Sequence, residues 1–123
     1  MRNEPLPLPA PVAAGLDLVG VVAFAAVGRS SHGEAAGVSG TADTAWPFVA
    51  GLAAGWVASR AWRRPTLVVP TGVAVWGGAL VGGMGLRALT GSGTAVPFVV
   101  VAGVVLGALL LGWRGLLRFG GRR

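Results

Sequence analysis

Asp17 lies inside an apolar run from Pro11 to Gly28 that is otherwise uncharged. A carboxylate in such a run, once the run is placed in a bilayer, costs at least ~2.5 kcal/mol to insert, so it faces protein or water and has a partner. Counting ~1.5 Å per helical residue from the near boundary puts Asp17 level with Trp56, Ser59 and Thr71, with Arg60 one turn nearer the surface. Asp17, Trp56, Arg60, Thr71 and Trp76 therefore form a candidate intramembrane polar site. Two roles are open for it. Asp17 either binds a proton or cation, with Trp56 or Trp76 lining the path, or pairs structurally with Arg60 or an indole N–H.

Arg29 and Arg87 close two apolar runs on what is predicted to be the opposite side. Guanidiniums beside the helix starts expected at Pro47 and Pro97 could draw anions, but cations at helix C-termini also complement the dipole and anchor the interface. His32 is the only histidine, in a loop with Glu34. With carboxylates alone to help, it makes a poor zinc or copper site, and a solvated loop histidine is the plainer reading. There is no cysteine, nucleophile–base–acid set, phosphate-binding loop or paired intramembrane carboxylate. The expectation is a chain that is not an enzyme and holds no metal or cofactor.

The elements that must position these residues follow from composition. Of 123 residues, 54% are hydrophobic and 11% charged; a soluble domain carries roughly 25% charged residues, and one this small could not hide so much apolar surface. The charges sit between long uncharged runs, which points to lipid as the solvent. The net charge of +6 comes with arginines at the ends of apolar runs and with no recognisable nucleic-acid module, so no nucleic-acid partner is expected. The absence of Lys, Ile, Tyr and Gln beside abundant Gly, Ala, Val and Arg is what a GC-rich genome would encode.

About 20 apolar residues span a bilayer core. Four runs are predicted to do so: 11–28, 46–62, 66–86 and 94–113, the second being shorter, with Arg60 near its end. The fold class is all-α, a polytopic membrane domain over 11–114 with a Pro-rich tail at 1–10 and a basic tail at 115–123. The first run reads as a span, not a cleaved leader, because of Asp17 and the lead Pro5-Leu6-Pro7-Leu8-Pro9. The N-terminal tail, the turn with Arg60, Arg63 and Arg64, and the C-terminal tail carry most of the arginines. The positive-inside rule puts these regions, and both termini, in the cytoplasm of a multi-pass plasma-membrane protein.

Thr44-Ala45-Trp46-Pro47-Phe48-Val49 recurs fifty positions later as Thr94-Ala95-Val96-Pro97-Phe98-Val99, and Trp62-Arg63 recurs as Trp113-Arg114. A duplicated helical hairpin, a 2+2 parallel repeat, accounts for both. Small-xxx-small pairs at Gly51/Gly55, Gly78/Gly82 and Gly103/Gly107 suit close helix contacts or a homo-oligomer.

Asp17 and Phe24, Gly28-Arg29 with His32-Gly33, and Thr44-Ala45-Trp46-Pro47-Phe48 with Gly51 and Trp56 occur in an order that resembles a prokaryotic membrane family. Arg64-Pro65, Gly72, Trp76, Gly83-Met84 with Leu86-Arg87, and Gly112-Trp113-Arg114 continue it. From Asp17 to Arg114 the chain is similar to the domain-of-unknown-function family 3054. That family has no assigned activity, so the resemblance implies the four-span fold and no function. Two functions remain in view: a small proton-coupled transporter or channel acting as an oligomer, and a non-transporting structural, assembly or regulatory membrane component.

Overall fold

The computed structural model describes residues 8–31, 38–91 and 96–120. Those residues form helices α1 (Ala10–Ser31), α2 (Val38–Ser59), α3 (Val68–Leu89, kinked in its first turn where Val69 is extended) and α4 (Val96–Gly120), with a short 3-10 turn at Ala61–Arg63 and no strand. Three segments are long and apolar enough to cross a membrane: Ala10–Gly28, Val68–Leu89 and Val96–Phe119. Helix α2 is as long as α1 but carries Thr41, Asp43 and Thr44 in its first half and Ser59 at its end.

The helix ends differ from the sequence expectation at several points. Helix α2 begins at Val38, so residues expected in a long loop up to Ala45 are helical, and Pro47 lies inside the helix instead of opening it. Pro47 is buried; a proline inside a helix is tolerated where neighbouring helices pack round the freed backbone. Helix α4 continues through Gly120, well past Trp113 where the apolar run ends, so much of the expected basic tail is helix. Arg118 in its last turn complements the helix dipole.

Each helix runs antiparallel to its neighbours. Asp17 meets Trp56 and Phe24 meets Phe48 between α1 and α2. Gly55 meets Val75 and Gly51 meets Gly83 between α2 and α3. Trp76 donates to the Gly103 carbonyl (2.9 Å) between α3 and α4, and Gly20 packs on Leu110 between α4 and α1. The result is a closed up-and-down bundle around Val21, Leu52, Val75, Ala79, Ala102 and Leu106. Val19, Val27, Val57, Val81, Val104 and Leu116 face outward, an apolar surface that suits lipid and is costly in water.

The contact between α2 and α3 depends on missing side chains. A Cβ on Gly51 would strike the Gly78 carbonyl, and one on Gly78 would come within 2.7 Å of the Gly55 Cα and 2.8 Å of the Gly51 carbonyl. Two backbones can approach this closely only where neither helix has a Cβ between them. On the α3 side the contact falls on a wide π turn at Gly78–Gly82. Gly51, Gly55, Gly78 and Gly82 thus pack against each other inside the chain.

Adjacent glycines give a clean test. Gly78→Ala should lower stability by about 1–3 kcal/mol, the usual cost of overpacking. Gly77, one position away with nothing within 4 Å of its Cβ direction, should accept Ala with no loss or a gain of up to about 1 kcal/mol. Unfolding in detergent micelles by added SDS measures both; equal shifts would rule out the close approach as the cause.

Candidate functional site

Seven residues into α1, about 10 Å along its axis, Asp17 points into the bundle with no exposed surface. Its Oδ1 accepts hydrogen bonds from Trp113 Nε1 (2.9 Å) and Arg114 Nη1 (2.8 Å). Its Oδ2 accepts from Trp56 Nε1 (2.8 Å) and Arg114 Nη2 (2.7 Å). The guanidinium therefore grips the carboxylate with two parallel bonds, the strongest geometry for such a pair. A carboxylate has about four lone-pair positions, and here each is matched by a donor.

Arg114 is equally enclosed, with no exposed surface. Its Nε donates to the Pro65 carbonyl (2.9 Å) in the turn before α3, and its Nη1 also donates to the Leu110 carbonyl (2.9 Å) one turn back. The guanidinium carbon lies 4.4 Å from the centre of the Trp113 ring, within range for a cation–π contact. Gly72 on α3 leaves room for the arginine stem: a Cβ there would come within 3.0 Å of Arg114 Cδ. All four helices thus meet at this one point, through Asp17, Trp56, Gly72 and Arg114. Among the described residues no buried side-chain nitrogen or oxygen lacks a partner.

Of the candidate polar site, Asp17 and Trp56 come together. Arg60 does not join them, and the expected Asp17–Arg60 pair is replaced by Asp17–Arg114. Arg60 is exposed, with left-handed backbone (φ 52°) where the chain turns out of α2, so it leads away from the bundle. Thr71 is buried on α3 but takes no part in holding the carboxylate. Trp76 serves the α3–α4 contact through its bond to Gly103. Arg87 stacks over the Phe98 ring at 4.6 Å. His32 and the side chain of Arg29 lie outside the described residues, so an outer basic pair is placed only in its Arg87 half. Among the described residues no group of three metal-ligating side chains forms.

The sequence reading missed Arg114, Trp113, the Pro65 carbonyl and Gly72. A signal for Arg114 existed: a carboxylate about 10 Å inside one end of a bundle needs a cation at equal depth. Arg114 lies six residues, about 9 Å, before the end of α4. Ending the helix where the arginines begin concealed that match.

An all-helical chain with apolar segments of spanning length, closed on a buried charge pair, is a membrane-embedded protein. The chain belongs to the family described as Protein of unknown function (DUF3054), which it matches over residues 14–117. No curated protein and no solved structure matches it. Asp17, Trp56, Pro65, Gly72, Trp113 and Arg114, all among the residues that carry the family resemblance, converge on the one site.

Removing one partner from a buried ion pair costs about 3–5 kcal/mol, because the other charge is left unpaired. Asp17→Asn and Arg114→Gln should each destabilise by that order, and Asp17→Leu with Arg114→Met should cost clearly less than the sum of those two changes made singly. Arg60→Gln should fall within about 0.5 kcal/mol of the wild type. A double-mutant cycle in micelles reads these values; additivity at Asp17 and Arg114 would dismiss the pairing.

Proposed function

We propose that this chain is a non-transporting structural or assembly component of the cell membrane, in which the Asp17–Arg114 pair holds the first helix to the last. The observation that carries this reading is the saturation of Asp17. Four donors fill the carboxylate, and no surface of it is exposed. A proton-coupled carrier must load and unload its carboxylate in each cycle. Here every cycle would first break a bidentate ion pair in a medium of low dielectric. A site built to hold is a poor site for turnover, and the same enclosure leaves no reacting group open to a substrate.

In this proposal all four helices cross the bilayer and both termini are cytoplasmic. Helix α2 has 22 residues, about 33 Å of helix, and runs antiparallel between two helices of spanning character. Its weaker hydropathy fits a helix packed on both sides. Arg60, Arg63, Arg64, Arg114 and Arg118 fall at one end of the bundle and Arg87 at the other, which supports a cytoplasmic placement of the first end. A duplicated hairpin is part of the same reading. Phe48 and Phe98, equivalent in the two copies, meet with ring centres 6.3 Å apart beside Phe24. The Trp-Arg pairs have diverged: Trp62 and Arg63 are exposed, while Trp113 and Arg114 hold Asp17. Self-association in this reading uses faces other than the α2–α3 glycines.

Reconstituted in vesicles, the wild type should pass no cationic dye under a pH gradient and no ions above the level of empty vesicles. A flux preserved by Arg60→Gln and abolished by Asp17→Asn would restore the transporter reading. The chain has no cysteine, so single cysteines report topology directly. Ala42→Cys should label from outside intact cells, and Arg63→Cys only after permeabilisation. Labelling of both from one side would remove α2 from the membrane.

A further inference from the structure

On the outer wall of the bundle, α1 and α2 enclose an open groove of about 410 Å³. Ala14 and Leu18 form one side, Leu52, Ala53 and Val57 the other, and Trp62 stands at its end. Its back wall is the Trp56 indole, whose N–H is turned inward to Asp17, so the groove meets only apolar surface. Small Ala14 and Ala53 leave the space, and neighbouring side chains do not fill it. Along α2 it runs from Val49 to Val57, about 12 Å of helix, close to the roughly 15 Å hydrocarbon depth of one leaflet.

The groove ends at the turn that carries Arg60, Arg63 and Arg64. All three are exposed, and none makes a side-chain hydrogen bond or ion pair among the described residues. Trp62, half exposed, lies between them in sequence and lines the groove. An indole of this kind settles at headgroup level. A slot nearly one leaflet deep, apolar along its length and ending at Trp62 in a turn with three unpaired arginines, suits one acyl chain of a phospholipid with an anionic head.

We propose that this groove binds an anionic glycerophospholipid, one acyl chain between α1 and α2 and its phosphate on Arg60, Arg63 and Arg64. The site is separate from the charge pair and rests only on the chain being embedded in lipid, not on its transporting nothing. Guanidiniums bind phosphate through paired N–H donors, and Trp62, between Arg60 and Arg63, places this turn at the end of the groove.

Native mass spectrometry of the full chain, with added phosphatidylglycerol or phosphatidylcholine of equal chain length, tests this. The wild type should retain phosphatidylglycerol with about a tenfold preference, given that each arginine near an anionic surface contributes a several-fold gain. Arg60→Asn with Arg63→Gln and Arg64→Gln should bring that preference to within about twofold. Ala53→Trp, which fills the groove from an exposed position, should cut retention of phosphatidylglycerol about fivefold or more. Ala14→Phe does the same from the α1 wall and stands in where Ala53→Trp does not fold. Equal retention of both lipids by the wild type would overturn the proposal. So would a preference that survives loss of the arginines, or phosphatidylglycerol retention unchanged by a filled groove.

Discussion

A carboxylate cannot remain in the interior of an apolar bundle without donors to replace the water it has lost, and most of this structure can be traced to that demand at Asp17. The energy at stake is several kcal/mol, comparable to the whole stability of a small domain. Arg114 answers the charge, and the indoles of Trp56 and Trp113 fill the acceptor positions it leaves open. Supplying those donors fixes the bundle's geometry: the register of α4 against α1, the face of α2 turned inward and the path of the chain past Pro65. The bare Gly72 on α3 is the space that this arrangement requires.

The opposite end is built on different chemistry. Phe24, Phe48 and Phe98 pack edge-to-face or tilted, and Arg87 covers the last of these rings. Between the two ends, α2 and α3 meet backbone to backbone along the glycines. A directional polar lock, a close glycine seam and an aromatic cluster thus follow one another along the bundle axis. The lock is the most orientation-dependent of the three and the seam the most sensitive to added volume.

Legibility in the sequence followed the same division. Helices α1, α3 and α4 were readable because an apolar run of spanning length is costly to place anywhere but in lipid. Helix α2 was readable as a helix but not in its limits, since Pro47 resembled a first-turn proline while the polar residues before it continue the helix. Asp17 stood out as the lone charge in its run, and depth counting found Trp56. The same counting chose Arg60 because it treated the end of the apolar run at Trp113 as the end of α4. Helices continue past hydrophobic runs when the next residues are good helix formers or, as with Arg114, are drawn inward by a buried charge. Gly72 stood out only as part of the family resemblance; its role had no signal in residue type or spacing, because its value lies in what another helix inserts there.

The lock joins two residues that lie 97 positions apart, and this has a bearing on how the chain is made. At about 5–20 residues per second of synthesis, Asp17 leaves the ribosome about 5–20 s before its cation exists. During that interval the first helix carries an uncompensated carboxylate, a burden of roughly 2.5–3.5 kcal/mol by insertion scales. Until α4 emerges, α1 is therefore least costly with Asp17 close to an aqueous boundary. Completion of the last helix is then the step that seats the first, and a truncated product exposes the charge by which quality control can recognise it.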